Sequence, residues 1–200
     1  MITKETAKDI ILKYCEHILA NGSTEKFAIQ SCELSPCKNY WVIRCNTEDY
    51  VLHNIWYRGN VGINAYLVHI QSGEIETIGS AQSVDDYLQD KLDLANAGNR
   101  KYVLVPLFNR LDKKTLVHFK QWLRCGISDA IKMLSNNRKK WLTGKKRELQ
   151  FTQKLLSEIN IQTDIVLVED SENALQINGN ISFLEDIKTA LNAYLNKINT

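Results

Sequence analysis

An α+β fold in two small domains is what this sequence predicts, on three observations. Residues Ile63 to Leu88 read as strand, turn, strand and helix, and the runs before them are β-rich with no strand–helix–strand alternation. Around Asp93 to Arg100 the periodicity lapses into Leu94-Ala95-Asn96-Ala97-Gly98-Asn99, which sets a boundary between a domain over 1–96 and one over 97–200. Formal charge divides at the same place, with 8 Lys/Arg against 13 Asp/Glu over residues 1–99 and 17 against 10 over residues 100–200. Residues 100–154 alone hold 15 basic and 3 acidic side chains, whereas 155–200 hold 2 and 7. The net charge of +2 therefore hides an acidic module joined to a basic one, which suggests surfaces with different partners.

The first domain opens with a helix expected from Thr3 to Ala20. Ala7, Ile10, Ile11, Tyr14, Cys15, Ile18 and Leu19 recur at helical spacing and make one apolar stripe, with Asn21-Gly22 as the stop. Phe27 to Glu33 alternates as a strand. Pro36 interrupts the chain before Tyr40 to Cys45, in which Trp41, Ile43 and Cys45 share a face. Tyr50 to Tyr57 reads as a third β-rich run, and Arg58-Gly59-Asn60-Val61-Gly62 as a loop. Ile63 to Ile70 is then a strand, Ser72-Gly73 a two-residue turn, and Glu74 to Ile78 the returning strand, closed by Gly79. Ser83 caps a helix beginning Val84-Asp85-Asp86-Tyr87-Leu88, with two carboxylates at its positive end.

The second domain starts with a strand from Tyr102 to Phe108, whose Pro106 marks a sheet edge or a strand end. A helix over Lys113 to Arg124 presents Leu116, Phe119, Trp122 and Leu123. Gly126 breaks it, and Ser128 caps a shorter helix bearing Ile131 and Leu134. Lys140-Trp141-Leu142 is a short strand. A helix from Lys145 to Ile159 buries Leu149, Thr152, Leu155, Leu156 and Ile159, and Thr163 to Val168 is a strand. Ser182-Phe183-Leu184-Glu185 has capping-box spacing and opens the last helix, with Leu184, Ile187, Leu191, Tyr194 and Ile198 on one side. The order is βααβαβ with an added C-terminal helix.

The series Gly59-Asn60, Leu67-Val68, Ser72-Gly73-Glu74-Ile75, Ile78-Gly79-Ser80 and Val84-x-x-Tyr87-Leu88 resembles the YrhB-type immunity family of bacterial polymorphic-toxin systems. The upstream helix and the Trp41 strand fit the same pattern, so the resemblance covers about residues 1–92. Gly62 stands where members often carry proline, and His69 where an acidic residue is common. The resemblance implies a small cytoplasmic α+β module that protects a bacterium by binding a cognate protein toxin. Residues 101–169 are similar in element order to the C-terminal domain of the ribosomal stalk protein and to the ClpS adaptor. Asn109-Arg110-Leu111 replaces the Asn-Asp-Asp run of that adaptor, so the fold alone is carried over.

Chemistry-bearing motifs are sparse. Arg138, Lys139, Lys140, Lys145, Lys146 and Arg147 put six cations in ten residues around Trp141. Three readings of this run stay open. It grips phosphates with Trp141 stacked on a base, it steers an acidic protein, or it is a solvated turn with Trp141 buried. Three cations at a helix N-terminus oppose the helix dipole, which favours a functional role. Trp56, Tyr57 and Arg58 form a second candidate surface, since these residue types dominate interface energetics, and a buried strand end is the competing reading. Cys15, Cys32, Cys37, Cys45 and Cys125 lack zinc or disulfide-framework spacing, and His17, His53, His69 and His118 sit on separate elements. There is no glycine-rich phosphate loop.

The expectation is thus a cytoplasmic immunity protein that neutralises a toxin by occluding it, without enzymatic activity, cofactor or metal. The partner-binding candidates are Arg138, Lys139, Lys140, Trp141, Lys145, Lys146, Arg147, Trp56, Tyr57 and Arg58. The alternative is a nucleic-acid- or ribosome-associated factor using the basic domain. No membrane association is expected, because no apolar run approaches the ~20 residues of a span and the N-terminal helix carries Asp9 and Glu16 rather than a leader pattern.

Overall fold

The computed structural model describes residues 1–18, 24–135, 139–179 and 181–199. The fold is α+β, and the chain divides into two compact units, Met1–Gln89 and Asp90–Thr200.

In the first unit, helix α1 (Lys4–Cys15) starts where Thr3 Oγ1 accepts the Thr6 amide. It stops at Glu16, short of the expected Ala20, and the chain turns into a small antiparallel pair, β1 (His17–Ile18) with β2 (Thr24–Glu25). The expected Asn21-Gly22 stop lies outside the described residues, as does Leu19. Strands β3 (Phe27–Leu34), β4 (Tyr40–Thr47), β5 (Ile63–His69) and β6 (Ile75–Gly79) form an antiparallel sheet in sequence order. Alternation along β4 and β5 sends Ile43, Tyr66 and Val68 to the face covered by Ala7, Ile11 and Cys15 of α1. Val42, Ala65 and Leu67 go to the opposite face, where Ile78 and Val84 meet them. Both faces of β5 are therefore apolar, which explains its unbroken hydrophobic run.

The β5–β6 turn is longer than the two-residue Ser72-Gly73 turn expected. His69 N–H donates to Glu74 O at 2.9 Å, so Ile70 to Gly73 make the loop. Ile70 is drawn out of the strand because its N–H bonds Asn39 O (2.9 Å) and its carbonyl accepts from Ile2 N–H (2.6 Å). Gly73 sits at φ +75°, with its missing Cβ site only 2.8 Å from the Ile2 side chain.

Tyr50 to Tyr57 is not the strand expected. It forms helix α2 (Glu48–His53) and a single 3-10 turn (Trp56–Arg58). Local capping overrides the β-rich composition here. Thr47 Oγ1 accepts the Tyr50 amide, Glu48 and Asp49 fill the first turn, and Asn54 ends the helix in the left-handed conformation.

Helix α3 (Val84–Ala97) is capped by Ser83, whose Oγ accepts the Asp86 amide at 3.0 Å. The expected lapse at Leu94–Ala97 stays helical, and Gly98 at φ +60° supplies the stop. The division between units accordingly falls inside α3, ahead of the 96/97 boundary read from the sequence.

The second unit follows the expected βααβαβ order. β7 (Lys101–Pro106), α4 (Lys113–Leu123), α5 (Ile127–Met133), β8 (Leu142–Thr143), α6 (Lys146–Glu158) and β9 (Thr163–Val168) lead to β10 (Leu175–Gln176) and α7 (Leu184–Asn199). The sheet order is β10-β8-β7-β9, so β7 is central and Pro106 marks its end rather than an edge. Gly126, not Ser128, is the N-cap of α5, which buries Ala130 and Met133 while Ile131 stays exposed. In the last helix Asp186 rather than Glu185 folds back, its Oδ2 accepting the Ser182 and Phe183 amides at 2.8 Å. Phe119, Trp141, Leu149, Leu156, Leu191 and Tyr194 lie in one core joining the sheet to α4, α6 and α7.

Candidate functional site

The basic run is largely occupied within the second unit. Asp90, at the middle of α3, accepts from Lys145 Nζ at 3.1 Å and from Arg147 Nε and Nη2 at 3.2 Å. Asp93 takes Lys146 at 3.1 Å, and Lys140 lies 3.5 Å from Asp170. Lys146 also sits 5.6 Å over the Tyr102 ring, and the Tyr102 hydroxyl donates to Asp93 O. Burial raises the Asp90 carboxyl, but the hydrogen bonds and charges of Arg147 and Lys145 outweigh it and hold the group below its ordinary range. The cations at the start of α6 thus oppose the helix dipole only until Asp90 and Asp93 are brought beside them. Lys139 has no carboxylate partner among the described residues, and Arg138 lies outside them.

Trp141 is fully buried, so it has no free face for a base. Its ring stacks on Phe119 with centroids 5.0 Å apart and 8° between planes, and its Nε1 donates to Met133 O at 3.0 Å. The stacking role considered for this residue is replaced by a core role.

The second candidate set has the opposite character. Trp56 is 79% and Tyr57 68% exposed, with rings packed edge-on at 5.8 Å, and Arg58 is exposed beside them. The buried-strand-end reading of these three is therefore set aside. The same segment exposes Leu52, Val61 at 95%, and Ile63. None of these three was singled out in the sequence, because isolated aliphatic residues carry no pattern that separates surface from core.

The turn that carries the aromatic pair is braced from β4. Thr47 Oγ1 donates to Arg58 O at 2.8 Å, and the Asn46 side chain both accepts from Asn60 N–H (2.7 Å) and donates to Asn60 O (3.0 Å). A Cβ at Gly59 would stand 2.7 Å from the Tyr50 ring, so a larger residue there has to displace that ring. Exposed aromatics on a fixed backbone lose little conformational entropy on binding, which suits a contact surface.

Several cysteine and histidine side chains are engaged locally. Cys15 and Cys45 Sγ atoms lie 3.6 Å apart beneath α1, and the hydrogen bond from Cys15 together with burial pushes the Cys45 thiol well above its ordinary value. Burial also raises the Cys32 and Cys125 thiols. His118 Nε2 lies 2.7 Å from Ile159 O, and His69 Nδ1 lies 2.9 Å from Ser72 Oγ, bracing the β5–β6 turn. Asp85 and Asp86 sit at the N-terminus of α3, as the helix-dipole reading expects. Among the described residues, no group of three or more His, Cys, Asp or Glu is placed to hold a metal ion, and no helix is long and apolar enough to cross a membrane. No family model, curated protein or solved structure matches the chain.

Proposed function

We propose that this chain is a binding protein of the toxin-immunity kind, which neutralises a cognate protein toxin by covering it with the Trp56–Tyr57 surface. The observation that carries the reading is the braced and exposed aromatic pair. Covering large apolar rings held in water is favourable on binding, and Trp, Tyr and Arg are the residues that dominate protein interfaces. The hairpin-helix series from Leu67 to Leu88 supports the family side of the reading by its resemblance to YrhB-type immunity proteins. A nucleic-acid or ribosomal role has less to rest on, with Trp141 in the core and Lys140, Lys145, Lys146 and Arg147 beside aspartates.

The test is survival of cells that express the product of the adjacent gene, with and without this chain. Protection is expected with the wild type and is lost with a Trp56→Ala/Tyr57→Ala variant of unchanged circular dichroism. Each truncation should weaken binding by about 2 kcal/mol if the pair is the energetic centre of the interface. Equal killing with and without the wild-type chain overturns the proposal.

A further inference from the structure

The loop between β7 and α4 and the end of α5 enclose a groove of about 330 Å³ in the second unit. Leu134 forms a buried floor, Ile131 and the 81%-exposed Leu111 are apolar walls, and Arg110 and Lys139 bring positive charge to the lining. We propose that this groove docks a short acidic peptide segment of a partner protein, one that sets an apolar side chain between carboxylates. The site is separate from the Trp56–Tyr57 surface and does not depend on the function proposed above.

Charge complementarity selects this occupant. Among the described residues neither Arg110 nor Lys139 has a carboxylate partner, whereas Lys140, Lys145, Lys146 and Arg147 each have one. The acids nearest in sequence do not line the groove. Asp112 caps α4 by accepting the Thr115 amide at 3.1 Å, and Asp129 faces Lys132 at 3.8 Å. Two cations beside an aliphatic floor match carboxylates flanking an aliphatic or aromatic side chain.

Among the described residues the lining contains no aromatic ring, so they offer no platform for the base stacking that holds single-stranded nucleic acid. Its volume is near the lower end of the ~300–1,000 Å³ range of ligand sites, which suits one or two side chains of a peptide. The wall is also preformed. Asn109 Oδ1 accepts the Leu111 amide at 2.8 Å and Asn109 O accepts the Asp112 amide at 3.1 Å, fixing the loop that carries Arg110.

Fluorescence anisotropy on the full chain tests the assignment. The probe is a fluorescein-labelled, end-blocked twelve-residue peptide of Asp, Glu, Leu and Phe. Saturable binding is expected, weakened by about tenfold or more by Lys139→Glu, by Arg110→Glu and by Leu111→Ser, and unchanged by Lys154→Glu, an exposed α6 residue outside the groove. Leu111 and Arg110 are exposed, so these variants are expected to fold, and circular dichroism checks that they do. The proposal is overturned by absence of peptide binding, by equal binding of a peptide with alanine for Leu and Phe, or by an equal loss with Lys154→Glu. It is overturned as well if oligouridylate of equal charge binds in a groove-dependent way and the peptide does not.

Discussion

Replacing Trp141 separates a core role from a recognition role more sharply than any other substitution in this chain. Trp141→Ala removes a fully buried indole, for which the transfer and cavity costs together run to about 3–5 kcal/mol. Loss of the parallel stack on Phe119 forfeits a pair interaction of about 0.5–1.5 kcal/mol, and Met133 O loses its donor. These contributions overlap, so a total of about 4–5 kcal/mol is expected. That is a large part of the ~5–15 kcal/mol by which a typical domain is stable. Trp141→Phe keeps a ring against Phe119 and loses chiefly the Nε1–H donor, so about 1–2 kcal/mol is expected. Urea unfolding followed by far-UV circular dichroism reads both, and with a slope near ~2 kcal/mol/M the alanine variant should shift its transition by about 2 M. A Trp141→Ala protein that unfolds at the wild-type urea concentration refutes the reasoning. So does one whose only defect is in binding RNA.

Two further outcomes follow from the electrostatics. The folded-state pKa of Asp90 is depressed, so its stabilisation is present above the unfolded value near ~3.9 and is lost as pH falls through the folded pKa. Asp90→Asn should cost about 1 kcal/mol at pH 7, modest because Lys145 and Arg147 are partly solvated, and should flatten the loss of urea resistance below pH 4; a wild-type pH profile in the variant contradicts the pairing. For the thiols, alkylation mapped by mass spectrometry at pH 8 should modify exposed Cys37 first. Cys45 and Cys32 should react about tenfold or more slowly, because burial and, at Cys45, the Cys15 hydrogen bond disfavour the thiolate; equal rates at Cys37 and Cys45 would contradict this.

Where structure is decided by neighbours in sequence, the residues themselves announced it. The β5–β6–α3 series and the βααβαβ order were legible because alternation, turn formers and the Ser83 cap all act locally. Reading failed where one local signal hid another. The aromatic and β-branched content of Tyr50 to Tyr57 reads as strand, yet Thr47 with Glu48 and Asp49 nucleates a helix and so puts Trp56 and Tyr57 on a projecting turn. Non-local pairing was invisible. Asp90 and Asp93 lie 53 to 57 positions before the cations they hold, and no spacing rule spans that distance.

That pairing changes what the charge asymmetry means. Counted along the chain, Asp90 and Asp93 belong to the acidic first module, which leaves the basic segment looking like one large unsatisfied surface. In space they belong to the second unit and sit against the start of α6, so much of the apparent excess is internal compensation at a helix N-terminus. The positive charge without an acidic partner among the described residues lies elsewhere. It includes Lys139 and Arg110 at the groove and the exposed Lys113 at the start of α4. A phosphate-gripping surface would leave most of its cations free for the nucleic acid backbone and would show a steep salt dependence. Here the run gives up four of its cations to aspartates, and the fifth described one, Lys139, lines a groove with Leu111, Ile131 and Leu134. Such a division favours recognition of a few carboxylates over the gripping of a polyanion.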